Sequence, residues 1–181
     1  DVYKRQVHIG GGKRARARQN PRANMSSCVP SQMKAYIVHG KGDARLETVA
    51  TPKPGPGEIV VKVSHVALNP SDWKVLDWFG SVGATLGSDF LGTVVEKGPD
   101  ADEVQVGDRV ASCIRGGIDK GVGAFAEYLV TRAKAVLVVP AWINDADGAN
   151  FGVAGFTAYL GVYQSKHLGL PLPTLPLKSM P

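Results

Sequence analysis

The sequence lacks the features that several large classes of protein require. Its 181 residues contain only two cysteines, Cys28 and Cys113, and no Cys-x-x-Cys pair, so neither a disulfide framework nor a cysteine-rich zinc site is predicted. No run approaches the roughly 18 apolar residues of a membrane-spanning helix, and no membrane association is predicted. Because no secretory hydrophobic region is evident, we expect a reducing, cytoplasmic setting. Cys113 lies in an apolar run and is predicted to be a small core side chain.

Excess basic charge is confined to the start of the sequence. Residues 1–24 carry seven Lys or Arg and one Asp, whereas the other 157 residues carry 14 basic and 15 acidic side chains. The body is therefore nearly neutral, and no nucleic-acid partner is predicted for it. We interpret residues 1–32 as disordered, or as non-native sequence before a start at Met25 or Met33. A basic arm for nucleic acid and a transit peptide are the alternative interpretations.

Short β-type segments dominate the body. They are separated by turn signals such as TPKPGPGE at 51–58 and the Gly107-Asp108 pair. This pattern favours a mainly β fold, a Greek-key barrel with a helix at its end. The predicted strands lie within residues 33–38, 44–50, 58–69, 89–98, 104–114, 125–131 and 135–140.

Two helical segments are predicted. A short helix covers Ser71 to Phe79, with Pro70 in its first turn. A longer one follows, with Asn144 or Asp145 as its N-cap and Gly169 at its end. We accordingly divide the chain into a lead-in, a β domain, a linker-helix region and an extended tail, at residues 1–32, 33–140, 141–169 and 170–181.

Several stretches, in this order, resemble a known family: ALNPSDWK, LGSDFLGTVVEKG, VQVGDRV, GAFAEYLVTRAKAVLVVP and GFTAYLGVYQ. They are similar to the N-terminal GroES-like domain of the medium-chain dehydrogenase/reductase superfamily. Within it they resemble the zinc-free, quinone-oxidoreductase-like branch, especially fungal trans-acting enoyl reductases that serve polyketide synthases. The resemblance covers about residues 33–173, nearly the whole body.

The resemblance also bears on metal use. Zinc-dependent members of the family place a Cys after the long strand and a Gly-His-Glu at the start of the next one. This chain has Asn69 at the first place and Gly87-Ser88-Asp89 at the second. Amide and hydroxyl groups are poor Zn²⁺ ligands, and a single carboxylate cannot complete a set of three protein ligands. No metal site is therefore predicted.

The resemblance implies hydride transfer from NADPH to an activated C=C, with Asn69 and Lys74 as catalytic and cofactor-binding residues. Asn69 is expected to donate its amide N–H to a substrate or nicotinamide oxygen. Lys74 is expected to donate to the substrate carbonyl, or to bind cofactor phosphate or ribose. Thr157 is implied to hydrogen-bond the nicotinamide region. The alternative for Lys74 is a solvated surface side chain.

Ser71, Asp72 and Trp73 are the predicted substrate-pocket residues. Asp72 is expected to orient the ammonium of Lys74, and Trp73 to line an apolar acyl channel. Both have a structural alternative, because Ser and Asp at the start of a helix commonly cap it, and aromatic side chains at helical spacing commonly pack in a core.

Family members continue into a Rossmann half that binds most of the dinucleotide, and no glycine-rich turn of that kind occurs in this sequence. We therefore expect a fragment of an oxidoreductase, inactive alone, that acts on a small molecule or acyl thioester, with a polyketide synthase as the partner. Self-association is expected through an exposed apolar face at Phe151, Phe156, Leu160 and Tyr163. The alternative is a non-catalytic GroES-like module that binds a protein partner.

Overall fold

The structure is a computed structural model that describes residues 29–173, and these residues form mainly β-strands, which confirms the predicted fold class. The predicted lead-in and tail lie largely outside this range. The strands are β1 (Gln32–Gly40), β2 (Asp43–Ala50), β3 (Glu58–Ala67), β4 (Asp89–Lys97), β5 (Arg109–Cys113), β6 (Tyr128–Arg132) and β7 (Leu137–Val138).

The strands form two antiparallel sheets. β1 and β2 make a two-stranded hairpin, and the other five follow the order β6-β3-β4-β5-β7. Backbone bridges from Ala35 to Ala126 and from Ile37 to Thr85 join the hairpin to the loops of the larger sheet. The backbone N–H of Tyr36 also donates to the carbonyl of Phe125 at 2.9 Å. The polar groups along this edge of β1 are thereby satisfied.

The longest strand, β3, is buried at its start and exposed towards its end. Ile59, Val60 and Val61 have no exposed surface, and Ile59 and Val61 pack in one core cluster with Phe90 of β4 and Leu129 of β6. The pairing of β3 with β4 contains two irregularities, between Val60 and Val61 and between Val63 and His65. The exposed end of β3 leads directly into the turn that carries the predicted site.

The predicted short helix is present, but it changes geometry halfway. α1 (Pro70–Lys74) has Pro70 at its start, as predicted, and one turn of π-helix (Val75–Phe79) follows. The core packing given as the alternative for the aromatic side chains is not observed, since Trp73 and Phe79 both have more than half of their surface exposed. The wider π turn replaces the regular α-helical spacing on which that expectation rested.

The predicted long helix is divided into α2 (Asp145–Ala149) and α3 (Val153–Tyr163). Asn144 is the N-cap, as predicted, and its side chain accepts the N–H of Asp147 at 2.8 Å. The break occurs at Gly152, where a Cβ atom would lie 2.2 Å from Oδ1 of Asp89. Gly169 does not end the helix, because α3 stops at Tyr163.

Two predicted strands are shorter than expected. Of residues 104–114 only β5 is a strand, since Asp108 accepts the N–H of Gln105 at 2.8 Å and closes a turn before it. The segment 135–140 contributes only the two residues of β7, which follow a 3₁₀ turn (Ala133–Ala135). Cys113, at the end of β5, is half-buried.

The helix α3 is apolar, yet none of its residues is buried in the described part of the chain. Of the four residues predicted to form an exposed face, only Leu160 is exposed, at 44%; Phe156 and Tyr163 are half-buried, and Phe151 packs against the core cluster of Leu91. Tyr159, which was not predicted, is 50% exposed. No helix among residues 29–173 is both long and apolar enough to cross a membrane. Exposed apolar surface of this kind favours association.

Replacing Gly92 by Ala should destabilise the larger sheet. A Cβ at this buried position would lie 2.3 Å from the carbonyl oxygen of Lys62 and 2.6 Å from Cγ1 of Val61. Such overpacking typically costs about 1–3 kcal/mol of unfolding free energy, which urea denaturation would measure. Gly40→Ala is the matched control, since nothing lies within 4 Å of its Cβ, and a change there should stay within about 0.5 kcal/mol. Equal losses of unfolding free energy in Gly92→Ala and Gly40→Ala would contradict the close packing of β3 against β4 at Gly92.

The exposed face of α3 should make the chain self-associate. We expect the 181-residue chain to elute as oligomers and to bind a hydrophobic dye. The double variant Tyr159→Lys, Leu160→Lys should shift elution towards the monomer and reduce dye fluorescence. Trp142→Lys serves as the control, because Trp142 is 82% exposed but lies outside α3. A monomeric wild-type chain without dye binding would refute the expectation.

Candidate functional site

The turn before α1 is held by reciprocal hydrogen bonds between Asn69 and Asp72. The backbone N–H of Asn69 donates to Oδ2 of Asp72 at 2.7 Å, and the backbone N–H of Asp72 donates to the carbonyl of Asn69 at 3.0 Å. This arrangement satisfies backbone groups that a helix start otherwise leaves free. Asn69 is half-buried and is fixed at the end of the long strand.

Asp72 also ties α1 to the segment that precedes β4. Its other oxygen, Oδ1, accepts the hydroxyl of Ser88 at 2.9 Å, and the residue is only 9% exposed. Both carboxylate oxygens therefore face the protein. The expected ion pair between Asp72 and Lys74 is not formed, because Asp72 points inward while Lys74 is exposed.

Lys74 lies against aromatic side chains at the surface. Its Nζ atom is 5.6 Å from the ring centroid of Trp73, within the range of a cation–π interaction. Trp73 meets Trp78 edge to face at 5.8 Å between centroids, and Trp78 meets Phe79 at 6.2 Å. All three aromatic side chains are more than half exposed. The site surface thus combines one ammonium group with an apolar wall.

A buried carboxylate, Asp89, connects this region to α3. It has no exposed surface, and its Oδ1 accepts the N–H of Val153, the first residue of α3, at 2.7 Å. Its Oδ2 has no hydrogen-bond partner among the described residues. We considered Asp89 in the sequence only as an unsuitable zinc ligand. A lone acid at the start of the apolar strand β4 was the available signal for a special role.

The surroundings of Asp89 shift the pKa of its carboxyl group. Burial raises the pKa of the Asp89 carboxyl, and the nearby charge of Asp72 raises it further, while the Val153 N–H and the Asn69 side-chain amide act in the opposite direction. Cys113 lies directly opposite Asp89 in the β4–β5 pairing. Burial raises the pKa of the Cys113 thiol, and the charge of Asp89 adds to that effect. A thiol shifted in this direction is less reactive at neutral pH.

The other predicted site residues are Ser71 and Thr157. Ser71 has a hydroxyl that is buried without a hydrogen-bond partner in the described residues. Thr157 is exposed on α3, one helical turn beyond Val153. Hydrogen bonds thus join Asn69 to Asp72 and Asp89 to the start of α3, whereas Lys74, Trp73 and Thr157 are exposed to solvent.

An open cavity of about 780 Å³ lies beside the β1–β2 hairpin. It contains none of the predicted site residues. Its lining is mostly apolar and includes Tyr36, Leu46, Val66, Leu68, Leu76 and Phe125.

The residues at the family's zinc positions do not fit a metal site. The Ser88 hydroxyl is already donated to Asp72, and Asn69 offers only a neutral amide. No group of three or more His, Cys, Asp or Glu side chains that could hold a metal ion occurs within residues 29–173.

The raised pKa of Asp89 should appear in the pH dependence of stability. Because the folded-state pKa lies above the unfolded value, this carboxyl favours folding at low pH, and the contribution is lost as the pH rises through the folded-state pKa. The unfolding free energy of the wild type, relative to Asp89→Asn, should therefore fall across that window. One proton limits the slope to about 1.4 kcal/mol per pH unit. Urea denaturation at several pH values tests this, and a difference that grows with pH would contradict it.

Comparison with known proteins identifies the family. The alcohol dehydrogenase GroES-like domain family matches residues 55–141. The trans-enoyl reductase traG of Penicillium crustosum is 39% identical over 139 residues, which cover 75% of this chain and 38% of the relative. The trans-enoyl reductase caaB of Aspergillus niger is 40% identical over 148 residues, 80% of this chain and 40% of the relative. The chain thus spans about two fifths of the length of these curated relatives.

Solved structures agree with this assignment. The quinone oxidoreductase from Coxiella burnetii is 25% identical with a TM-score of 0.67, covering 75% of this chain and 45% of that one. An alcohol dehydrogenase superfamily protein from Novosphingobium aromaticivorans is 28% identical with a TM-score of 0.69, covering 76% of this chain and 43% of that one. Through its GroES-like domain, the chain belongs to the medium-chain dehydrogenase/reductase superfamily.

Proposed function

We propose that this chain supplies the substrate-side domain of an NADPH-dependent, zinc-independent oxidoreductase that reduces an activated C=C by hydride transfer. The observation that carries the proposal is the surface formed by Lys74 and Trp73 beside Asn69, in a chain about 40% identical to trans-enoyl reductases. Residues 33–140 form the substrate domain in this proposal, and residues 141–169 form the link to the cofactor side.

Lys74 is proposed to act on the substrate carbonyl. NADPH supplies the hydride when it is bound. Without a metal ion, the negative charge that develops on the carbonyl oxygen needs a hydrogen-bond donor. The exposed ammonium of Lys74 provides three donors and a full positive charge. Its contact with the Trp73 ring, 5.6 Å from the centroid, restricts where that charge can lie.

The neighbouring residues are proposed to bind and orient the reactants. Trp73, which is 52% exposed, offers an apolar surface for an acyl chain. Asp72 holds the turn, and Ser71 contributes a buried hydroxyl that still lacks a partner within residues 29–173. Asn69 and Thr157 are proposed to contact the nicotinamide region, and Thr157 lies one helical turn beyond Val153, whose N–H donates to Asp89.

The substrate class is proposed to be an acyl thioester, with a polyketide synthase as the partner that delivers it. The support is the trans-enoyl reductase activity in the names of the relatives. NADPH is favoured by one structural neighbour, a mycobacterial protein 28% identical to this chain that was solved in complex with NADPH.

One observation favours a second candidate function. The apolar helix α3 has no buried residue in the described structure. A non-catalytic module could use such a face to bind a protein partner. The two candidates differ in whether the Lys74 surface supports turnover.

A chimeric enzyme tests the reductase proposal. Residues 33–173 of this chain would replace the matching segment of caaB, and NADPH oxidation would be followed with an α,β-unsaturated thioester. We expect turnover, which would fall about 10²–10⁴-fold on Lys74→Ala and be partly retained on Lys74→Arg. Lys53→Ala is the control, because Lys53 is exposed in the loop before β3. A correctly folded chimera without turnover would favour the binding module, and turnover unaffected by Lys74→Ala would contradict the role proposed for Lys74.

A further inference from the structure

We infer that the edge strand β2 docks against β2 of a second copy of this chain, so that two β1–β2 hairpins join in one four-stranded antiparallel sheet. The inference goes beyond the proposed function and is independent of it, because it uses no residue of the candidate site. Two features carry it, an unpaired strand edge and a pattern of charges that is complementary to itself.

The first feature is the free edge of β2. This strand pairs with β1 on one side, and no other strand within residues 29–173 pairs with it on the other. None of its eight residues is buried. The backbone N–H and C=O groups along the outer side of such a strand can form a ladder with an added strand.

The edge of β2 also lacks the features that commonly protect a sheet from added strands. Proline, lysine and β-bulges at an edge disfavour such pairing. The sequence of β2, DARLETVA, contains neither proline nor lysine. Its pairing with β1 is regular from Ala50 to Ala44, and the irregularity in this pair lies between Val38 and Gly40 of β1. The edge is therefore suited to pairing.

The second feature is the order of charges along β2, which selects one register. Directly opposite residues of an antiparallel pair lie on the same face, so a two-fold axis between identical strands passes through a residue. An axis through Leu46 pairs residues 43–49 of the two strands. It places Arg45 opposite Glu47 of the second copy, at two equivalent positions. Opposite charges in directly opposed positions stabilise such a pair.

The neighbouring registers are less favourable. An axis through Arg45 would set the two Arg45 side chains against each other and Asp43 against Glu47, and an axis through Glu47 would set two glutamates against each other. Like charges in directly opposed positions are destabilising. An axis through Thr48 would leave Glu47 opposite Val49 and would pair only residues 46–50. The Leu46 register combines long overlap with complementary charge.

The two charged side chains are accessible for this pairing. The Arg45 side chain is 65% exposed and donates to Asp43 within the chain at 2.7 Å. The Glu47 side chain is 39% exposed and pairs with His39. Exposed ion pairs of this kind contribute little to stability. They can therefore exchange partners when a second strand approaches.

The same register joins apolar side chains on the other face of the sheet. Leu46 is 55% exposed and lies opposite Tyr36 of β1, which is 47% exposed. Both line the open cavity beside the hairpin. With the axis through Leu46, the Leu46 side chains of the two copies meet, and a Tyr36 lies on either side of them. The loss of exposed apolar surface at the centre of the interface favours association.

A charge-exchange experiment tests the interface. Sedimentation velocity at rising concentration would follow the 181-residue chain carrying Tyr159→Lys, Leu160→Lys, so that α3 does not contribute to association. We expect a monomer–dimer equilibrium in which Arg45→Glu and Glu47→Arg each raise the dissociation constant about tenfold or more. A 1:1 mixture of these two variants should restore dimers, because each Glu then faces an Arg. Lys53→Glu is the control, since Lys53 is exposed outside β2, and it should leave the dissociation constant unchanged.

Cross-linking tests the register. In the same chain, with Cys28 and Cys113 replaced by Ser, Leu46→Cys should form an intermolecular disulfide on oxidation, because the introduced thiols face each other across the axis. Thr48→Cys is the matched control on the same face. In the Leu46 register Thr48 lies opposite Ala44 of the second copy, so its two thiols are too far apart and the yield of disulfide should be much lower.

Several outcomes would overturn the inference. They are a chain that stays monomeric at every concentration, a dimer that neither charge reversal weakens, and a mixture of the two reversed variants that does not restore dimers. Cross-linking through Thr48→Cys as readily as through Leu46→Cys would also overturn it. If the α3 variant does not fold, the mixing experiment in the wild-type chain decides. Since no turnover is measured, failure of the reductase assay would leave these results unaffected.

Discussion

The site depends on how one buried carboxylate is satisfied. Asp89 starts a central strand, pairs with Ala67 on one side and Cys113 on the other, and accepts the first N–H of α3. Removing an ionised carboxylate from water is expensive unless donors compensate it, and the positive end of a helix provides such compensation. The close approach requires a glycine at position 152. The sheet, the break between α2 and α3 and the candidate site therefore all depend on how this one carboxylate is hydrogen-bonded.

A second carboxylate, Asp72, makes the loop residues of the site rigid. It binds the Asn69 backbone with one oxygen and the Ser88 hydroxyl with the other. The inner side of α1 is thereby fixed, while Lys74 and Trp73 on the outer side remain free to meet a ligand. Sites whose supporting groups are locked in this way hold reacting groups in place at a lower entropic cost on binding.

Much of the fold could be predicted from the sequence, because it follows from local patterns. Short β-type segments and Pro/Gly turns predicted the mainly β fold, and Asn144 was recognisable as an N-cap. The break at Gly152 was not predictable, since it arises from contact with Asp89, which is 63 residues away in the sequence. The position of Asn69 and Asp72 at a helix start was visible, but the inward direction of Asp72 depends on Ser88. Local features could therefore be predicted from the sequence, whereas contacts between polar groups far apart in the sequence could not.

The two irregularities between β3 and β4 have a consequence for how this segment can change in length. The first places an extra residue on β4, between Val94 and Glu96, and the second places one on β3, between Val63 and His65. The offsets cancel, so Ala67 and Asp89 meet in the same register as Ile59 and Lys97. A single-residue insertion or deletion in either strand would leave one offset uncompensated and turn Asp89 away from α3. A change in strand length that preserves this site would therefore need matched changes, one residue on each strand.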